Sequence, residues 1–158
     1  LVDIGLKKIV APQPEGGGGG GGASVVSRGG FLRLLFPKET KGMDTKEVMT
    51  WATGSGLVTQ GRGDAPINRA EAATLIMRKF NLTSDAREAH PFADVEPGSW
   101  YYEAAMACRR FGVFRGDAAN HFSGSTALDP QAAFALVARC GAIRPLTGDE
   151  QRTLAGTW

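Results

Sequence analysis

Apolar residues recur at helical spacing from Phe36 onward, and polar residues that can cap a helix stand where most of the apolar runs begin. Asp44 and Glu47 have the spacing of a capping box ahead of TKEVMTWAT. Asn68 and Glu71 repeat this spacing ahead of an apolar stripe, which consists of Ala72, Ala73, Ile76, Met77 and Phe80. The pattern predicts a helix in each place.

Three further helices are predicted, one from its apolar spacing and two from their capping residues. In WYYEAAMACRRF, four residues fall on one side of a helix: Tyr101, Ala104, Ala105 and Cys108. Asp129 is a suitable N-cap, and Pro130 then occupies the first helical position, where its missing N–H costs nothing. Thr147 and Glu150 have the spacing to cap a short helix that runs through Leu154.

The chain also repeats itself. The spacing from Phe36 to Gly56 equals the spacing from Phe92 to Gly112. The tetrapeptide RGDA occurs at 62–65 and again at 115–118. Both tetrapeptides fall in the turn between two predicted helices, where glycine permits unusual backbone angles and aspartate can bond its own backbone. We predict a body over 31–141 with repeats at 36–81 and 92–141. The tail, 142–158, is either a closing helix or a degenerate third repeat.

Residues 1–30 form a different kind of segment. The stretch LVDIGLKKIV alternates as a single strand would, and APQPE then leads into seven consecutive glycines, Gly16 to Gly22, which offer nothing to pack. Two short apolar pieces follow, SVVS and FLRLLF, separated by Gly29 and Gly30. We expect an extended glycine-rich arm with short β segments. It is either a flexible linker or an arm that pairs with neighbouring chains, for example in a homo-oligomer.

Composition narrows the function classes. The net charge of +2 gives no reason to expect nucleic acid or an anionic membrane as a partner, and no apolar run is long enough for a membrane span. Because the first residue is Leu1, we expect a mature or excised part of a longer polypeptide. Cys108 and Cys140 are interpreted as buried apolar residues, with a disulfide as the lesser alternative. No catalytic, metal-binding or cofactor motif is present, so we expect neither an enzyme nor a cofactor.

The order of these landmarks resembles the S-layer homology (SLH) domain, a family of repeats with two helices each. The second copy has FADV at 92–95, WYY at 100–102, GVFRG at 112–116 and HF at 121–122; the first has GLVTQG at 56–61 and INRAEAATLI at 67–76. The second copy has LDPQAA where the family has I-T-R-A-E, so it lacks that arginine and glutamate. The resemblance implies a mainly α fold of tandem helix-turn-helix repeats.

The resemblance also implies a function. Such modules attach surface proteins to cell-wall polysaccharide, often to pyruvylated sugars, or to peptidoglycan at the extracellular face of the cell envelope. Carried onto this chain, it implies four candidate carbohydrate-binding residues: Arg69, Glu71, Asp94 and Trp100. Arg69 would bind an anionic sugar and Trp100 would stack on a sugar ring, although Glu71 also fits the role of a helix cap and Trp100 that of a core residue. The alternative is a structural subunit of a virion, phage tail or surface appendage, in which the repeats dock proteins and the arm links subunits.

Overall fold

The fold is mainly α, as predicted. The computed structural model describes residues 25–59, 62–84 and 92–155, and within these ranges it has six α-helices and no sheet. The helices are α1 (Arg28–Leu35), α2 (Thr45–Gly54), α3 (Arg69–Phe80), α4 (Tyr102–Arg110), α5 (Pro130–Arg139) and α6 (Gly148–Ala155), with a 3-10 turn at Cys140–Ala142 after α5. None of the helices in these ranges is long and apolar enough to cross a membrane.

The predicted caps determine where most of the helices begin. Asp44 and Glu47 bond each other's backbone N–H groups at the start of α2, and Asn68 and Glu71 do the same at α3. At α5, the Ala132 N–H donates to Asp129 Oδ1 (2.7 Å), and Pro130 is the first helical residue. Helix α6 has the same reciprocal cap between Thr147 and Glu150. These predictions are confirmed.

Helix α1 corrects the prediction for the end of the arm. The FLRLLF piece is not extended, because Ser27 Oγ accepts the Gly30 N–H (2.9 Å) and caps a helix over Arg28–Leu35. Val26 and most of α1 are buried in the core. The helical body therefore includes residues 26–30, which the sequence pattern places in the arm. The predicted strand, the polyglycine run and the proposed contacts with neighbouring chains fall on residues 1–24, outside the described residues.

A closed ring of backbone hydrogen bonds joins the starts of α1, α3 and α5. Val26, Ile67 and Leu128 each stand just before the N-cap of one of these helices, and each is 1 % exposed. The Val26 N–H donates to Leu128 O (2.8 Å), the Leu128 N–H to Ile67 O (3.1 Å), and the Ile67 N–H to Val26 O (2.9 Å). The three helices therefore begin around one point in an approximately threefold arrangement.

Helix α1 has the same surroundings at its N-terminus as α3. The first two N–H groups of α1 donate to Ala65 O and Gly63 O, and the first two of α3 donate to Thr126 O and Gly124 O. These bonds satisfy donors that a helix leaves unpaired at its start. The start of α1 is therefore bound in the same way as the start of α3, which the sequence pattern did not reveal.

The two turn glycines, Gly56 and Gly112, end α2 and α4 in the same way. Their φ angles are +77° and +78°, in the left-handed region that favours glycine. The Leu57 N–H donates to Ala52 O and the Val113 N–H to Cys108 O, both at 2.9 Å, which completes a Schellman motif in each repeat.

We expect Gly56→Ala to lower the free energy of unfolding by about 1 kcal/mol, because alanine is strained at a left-handed φ. Gly54 is the matched control: it lies within α2, no atom stands within 4 Å of an added Cβ, and its φ is not positive. Gly54→Ala should raise the free energy of unfolding by about 0.5 kcal/mol. Urea melts of the two variants test this, and equal effects would contradict it.

The glycines of the two RGDA tetrapeptides are required by close packing. A Cβ on Gly63 would lie 2.5 Å from Thr45 Cγ2, and one on Gly116 would lie 2.7 Å from Asn120 Oδ1. Asp117 also bonds the backbone as expected, since its Oδ1 accepts the N–H groups of Ala119 (2.8 Å) and His121 (3.0 Å). The duplicated motif therefore has a structural role in both turns.

Both cysteines are buried and free, in agreement with their interpretation as core residues. Cys108 Sγ lies 3.5 Å from Ala73 O, and Cys140 Sγ lies 3.3 Å from Leu136 O. Burial raises the pKa of the Cys140 thiol to about 12 and also raises the pKa of Cys108. Neither thiol is therefore a reactive thiolate at neutral pH.

Candidate functional site

A groove lies between α1 and α3, and Trp100 of the second repeat stands at its edge. We call it groove 1; its volume is about 230 Å³. Arg28, Thr59, Glu71, Thr74, Arg78 and Trp100 supply its polar and aromatic lining, and Leu32, Leu57, Val58, Ile67 and Leu75 supply its apolar walls. A concave site with apolar walls and a few convergent polar groups is the usual form of a ligand site.

Trp100 is an unusually exposed aromatic residue. Its side chain is 67 % exposed, and its ring meets the Tyr101 ring edge-on with centroids 5.2 Å apart. It therefore does not belong to the core, which was the alternative interpretation. A large apolar side chain left in water beside a groove is typical of an interaction site.

Arg28 and Glu71 form an ion pair across groove 1. The distance from Arg28 Nη2 to Glu71 Oε2 is 2.7 Å, and both side chains are partly exposed. Glu71 Oε1 accepts the Asn68 N–H (3.0 Å), so both carboxylate oxygens already have partners within the protein. Glu71 thus lines the groove while it caps α3 and holds Arg28.

Arg78 provides a second guanidinium group in groove 1. It lies on α3 with its side chain largely exposed, and its Nη1 donates to Leu57 O. Each arginine uses one described contact to hold its position and has further N–H donors. Two positioned guanidinium groups can bind a carboxylate through charge-assisted hydrogen bonds.

The structure places Arg69 outside groove 1. Its Nε donates to Phe122 O (2.7 Å), and its guanidinium lies over the rings of Phe114 (5.0 Å) and Phe122 (5.5 Å). Burial and then the nearby charge of Arg139 lower the pKa of Arg69, while Asp94 and Asp117 act in the opposite direction. Arg69 joins α3 to the loop of the second repeat.

Asp94 lies near Arg69 and holds the same loop. Its two carboxylate oxygens accept the N–H groups of Phe122 (2.7 Å) and Ser123 (2.9 Å). Burial alone would raise the pKa of Asp94, but these two hydrogen bonds, the backbone N–H of Asp94 and the nearby His121 together hold the pKa below its usual range. The structure thus brings Glu71 and Trp100 together in groove 1 and places Arg69 and Asp94 elsewhere.

The second repeat matches a known family. Residues 91–129 match the family model of the S-layer homology domain. The chain contains an S-layer homology domain. No curated protein matches the chain. The SLH domain implies the anchoring of a surface protein to the cell wall and a location at the cell envelope or surface.

The matched SLH residues include Trp100 and Asp94, whereas Arg28, Arg69 and Glu71 lie outside them. The sequence analysis did not find Arg28 or Arg78. A signal for Arg28 was present, because Ser27 and Arg28 repeat the order of N-cap and arginine seen at Asn68 and Arg69. Across the ranges that the structure describes, no three His, Cys, Asp or Glu side chains are grouped so that they could hold a metal ion.

Proposed function

We propose that this protein binds an anionic cell-wall polysaccharide in groove 1 and so attaches a surface protein to the wall. The proposal rests on one observation above all. An exposed tryptophan of the SLH domain, whose family implies wall anchoring, stands at the edge of a groove that also contains two arginines.

Each lining group suits one part of a charged sugar. The exposed face of Trp100 can stack on the apolar side of a pyranose ring. Arg28 and Arg78 supply donors for a carboxylate, such as that of a pyruvylated or uronic sugar. The apolar walls formed by Leu57 and Val58 can contact a methyl or acetyl substituent, while Thr59 offers a hydroxyl to the sugar hydroxyl groups.

Glu71 has an indirect role in this proposal. Because it pairs with Arg28, it fixes the guanidinium at the groove wall and leaves the remaining N–H donors of Arg28 for a ligand. It also gives the groove one negative charge against two positive ones. A sugar unit with a single carboxylate therefore fits the groove better than one with several negative charges does.

We expect Trp100→Ala to weaken binding to isolated cell walls by roughly tenfold, because it removes the stacking face without disturbing the core. The measurement is co-sedimentation with walls that retain their polysaccharide and with walls from which it has been extracted. Val25→Ala is the matched control, since Val25 is also a large exposed apolar residue, 48 % exposed, and does not line groove 1.

The proposed function requires two results. The unmodified protein must sediment with intact walls and not with extracted ones, and Trp100→Ala must lose retention while Val25→Ala keeps it. Equal retention of both variants would remove groove 1 from the binding site. Equal retention on both kinds of wall would exclude the polysaccharide as the ligand.

A further inference from the structure

The junction between α3 and α5 contains an arginine contact of the same kind as one in groove 1. In groove 1, Arg78 Nη1 donates to Leu57 O, the residue after the turn glycine of the first repeat. At the junction, Arg139 Nη1 donates to Val113 O (3.1 Å), the residue after the turn glycine of the second repeat. We call this junction groove 2.

The two junctions also share an arginine at the first position of a helix. Arg28 is the first residue of α1 and lines groove 1, and Arg69 is the first residue of α3 and lies in groove 2. The surroundings of the two guanidinium groups differ. Arg28 pairs with Glu71, whereas α5 has Ala132 at the corresponding third helical position. Arg69 therefore has no carboxylate at that place, and its Nε bonds Phe122 O instead.

A second difference between the two grooves lies at the residue after Val113. In groove 1 the corresponding residue is Val58, which is partly exposed and lines the open space. In groove 2 it is Phe114, which is fully buried. Its ring lies 5.0 Å from the Phe122 ring and 5.0 Å from the Arg69 guanidinium, which covers it. Phe114, with the arginine above it, thus stands at the position where the smaller Val58 lines open space in groove 1.

We infer that Phe114 and Arg69 close groove 2, so that groove 1 is the saccharide site of this repeat pair and Arg69 is a structural clamp. Phe114 is then the residue that determines whether the second of these two grooves can take a sugar. This inference rests on the proposed function in its reference to a sugar, but the closure itself does not. It also replaces the sequence-based expectation that Arg69 contacts the ligand.

The first experiment needs no ligand. A dicarbonyl reagent that modifies accessible arginines should modify Arg78 and leave Arg69 protected in the unmodified protein, as read by peptide mass spectrometry. Phe114→Val, which copies the residue of groove 1, should increase the modification of Arg69 at least fivefold. Rapid modification of Arg69 in the unmodified protein would overturn the inference.

The second experiment separates a clamp from a ligand contact and does not depend on whether Phe114→Val folds. Arg69→Ala should lower the melting temperature by about 5 °C, because a charged hydrogen bond and two cation–π contacts are lost. Retention on cell walls, measured well below that temperature, should change less than twofold. Arg62→Ala is the control, since Arg62 is exposed and pairs only with Asp64 in the described structure.

The outcomes distinguish the two proposals. A tenfold loss of wall retention in Arg69→Ala, with the melting temperature unchanged, would overturn the inference and leave wall binding intact. If the unmodified protein does not bind walls, the proposed function fails, while the protection of Arg69 and its effect on melting still test the closure of groove 2.

Discussion

A chain that begins at Phe31 should lose its cooperative helical melt, whereas a chain that begins at Val25 should keep it. The shorter chain lacks Val26, whose backbone closes the ring of hydrogen bonds between the starts of α1, α3 and α5. It also lacks the Ser27 cap and the first turn of α1. Loss of one buried valine, one cap and at least two backbone hydrogen bonds amounts to about 4 kcal/mol or more, a large part of the stability of a domain of this size.

Circular dichroism during thermal unfolding of the two truncated chains measures this effect. The comparison also tests where the helical body begins, because the sequence pattern alone places its start at Phe31. Identical melts would mean that residues 25–30 are dispensable and that the ring contributes little. Loss of the cooperative unfolding transition in both chains would mean that residues 1–24 are required for folding.

The second large effect should come from Glu150. Its carboxylate is 6 % exposed and accepts hydrogen bonds from Lys79 Nζ, from Arg144 (3.0 and 3.1 Å) and from the Thr147 N–H (2.8 Å). Lys79 Nζ also donates to Leu35 O at the end of α1, so this cluster fastens α6 to α1 and α3. We expect Glu150→Ala to cost about 3 to 5 kcal/mol, because it leaves the buried Lys79 charge without its partner.

The control for this variant is Asp149→Ala, since Asp149 is the neighbouring carboxylate, is 43 % exposed and pairs with Arg152 at the surface. It should cost less than 1 kcal/mol. Urea unfolding of both variants measures the difference. Similar losses would contradict the central role given to the Glu150 cluster.

The same cluster predicts a pH dependence. Burial alone would raise the pKa of Glu150, but the hydrogen bonds from Arg144, Lys79 and the Thr147 N–H, with the charge of Lys79, outweigh it and lower the pKa from 4.5 to about 2. Because the folded-state value is the lower one, this stabilisation is complete above pH 4.5 and is lost as the pH falls towards 2. The difference in melting temperature between the unmodified protein and Glu150→Gln should shrink over that interval, and a constant difference would contradict the assignment.

The sequence predicted those parts of the fold that depend on local chemistry. The caps at Asp44, Asn68, Asp129 and Thr147 involve residues three positions apart, so they could be recognised from the chain alone. The turn glycines were also recognisable, because the two repeats carry them at corresponding places. Together with the apolar stripe of WYYEAAMACRRF, these features account for α2 to α6.

Helix α1 could not be predicted from the same signals. Gly29 and Gly30 in its first turn are poor helix formers, and they follow a glycine run that indicates an extended segment. Glycine is favoured at position 29 because a Cβ there would make tight contacts, 3.3 Å from Gly63 O and 3.1 Å from Thr45 Cγ2. That requirement comes from residues far along the chain, as does the ring that joins Val26 to Leu128.

The candidate site was predicted in part. The resemblance indicated Trp100 and Glu71, which the structure places together in groove 1. It also indicated Arg69 and Asp94, which instead hold the loop at Phe122. The pattern could not separate these two pairs, because the difference depends on Phe114 filling one groove while Val58 leaves the other open.

The central claim is that groove 1 is the polysaccharide site. Its most direct test is an NMR titration with purified fragments of the wall polysaccharide. The indole N–H signal of Trp100 and the backbone signals of Thr59 and Arg78 should shift in a saturable way, and the signals of Phe114 and Arg69 should not. Shifts concentrated at Phe114 and Arg69, or binding that leaves the Trp100 signal unchanged, would contradict the claim.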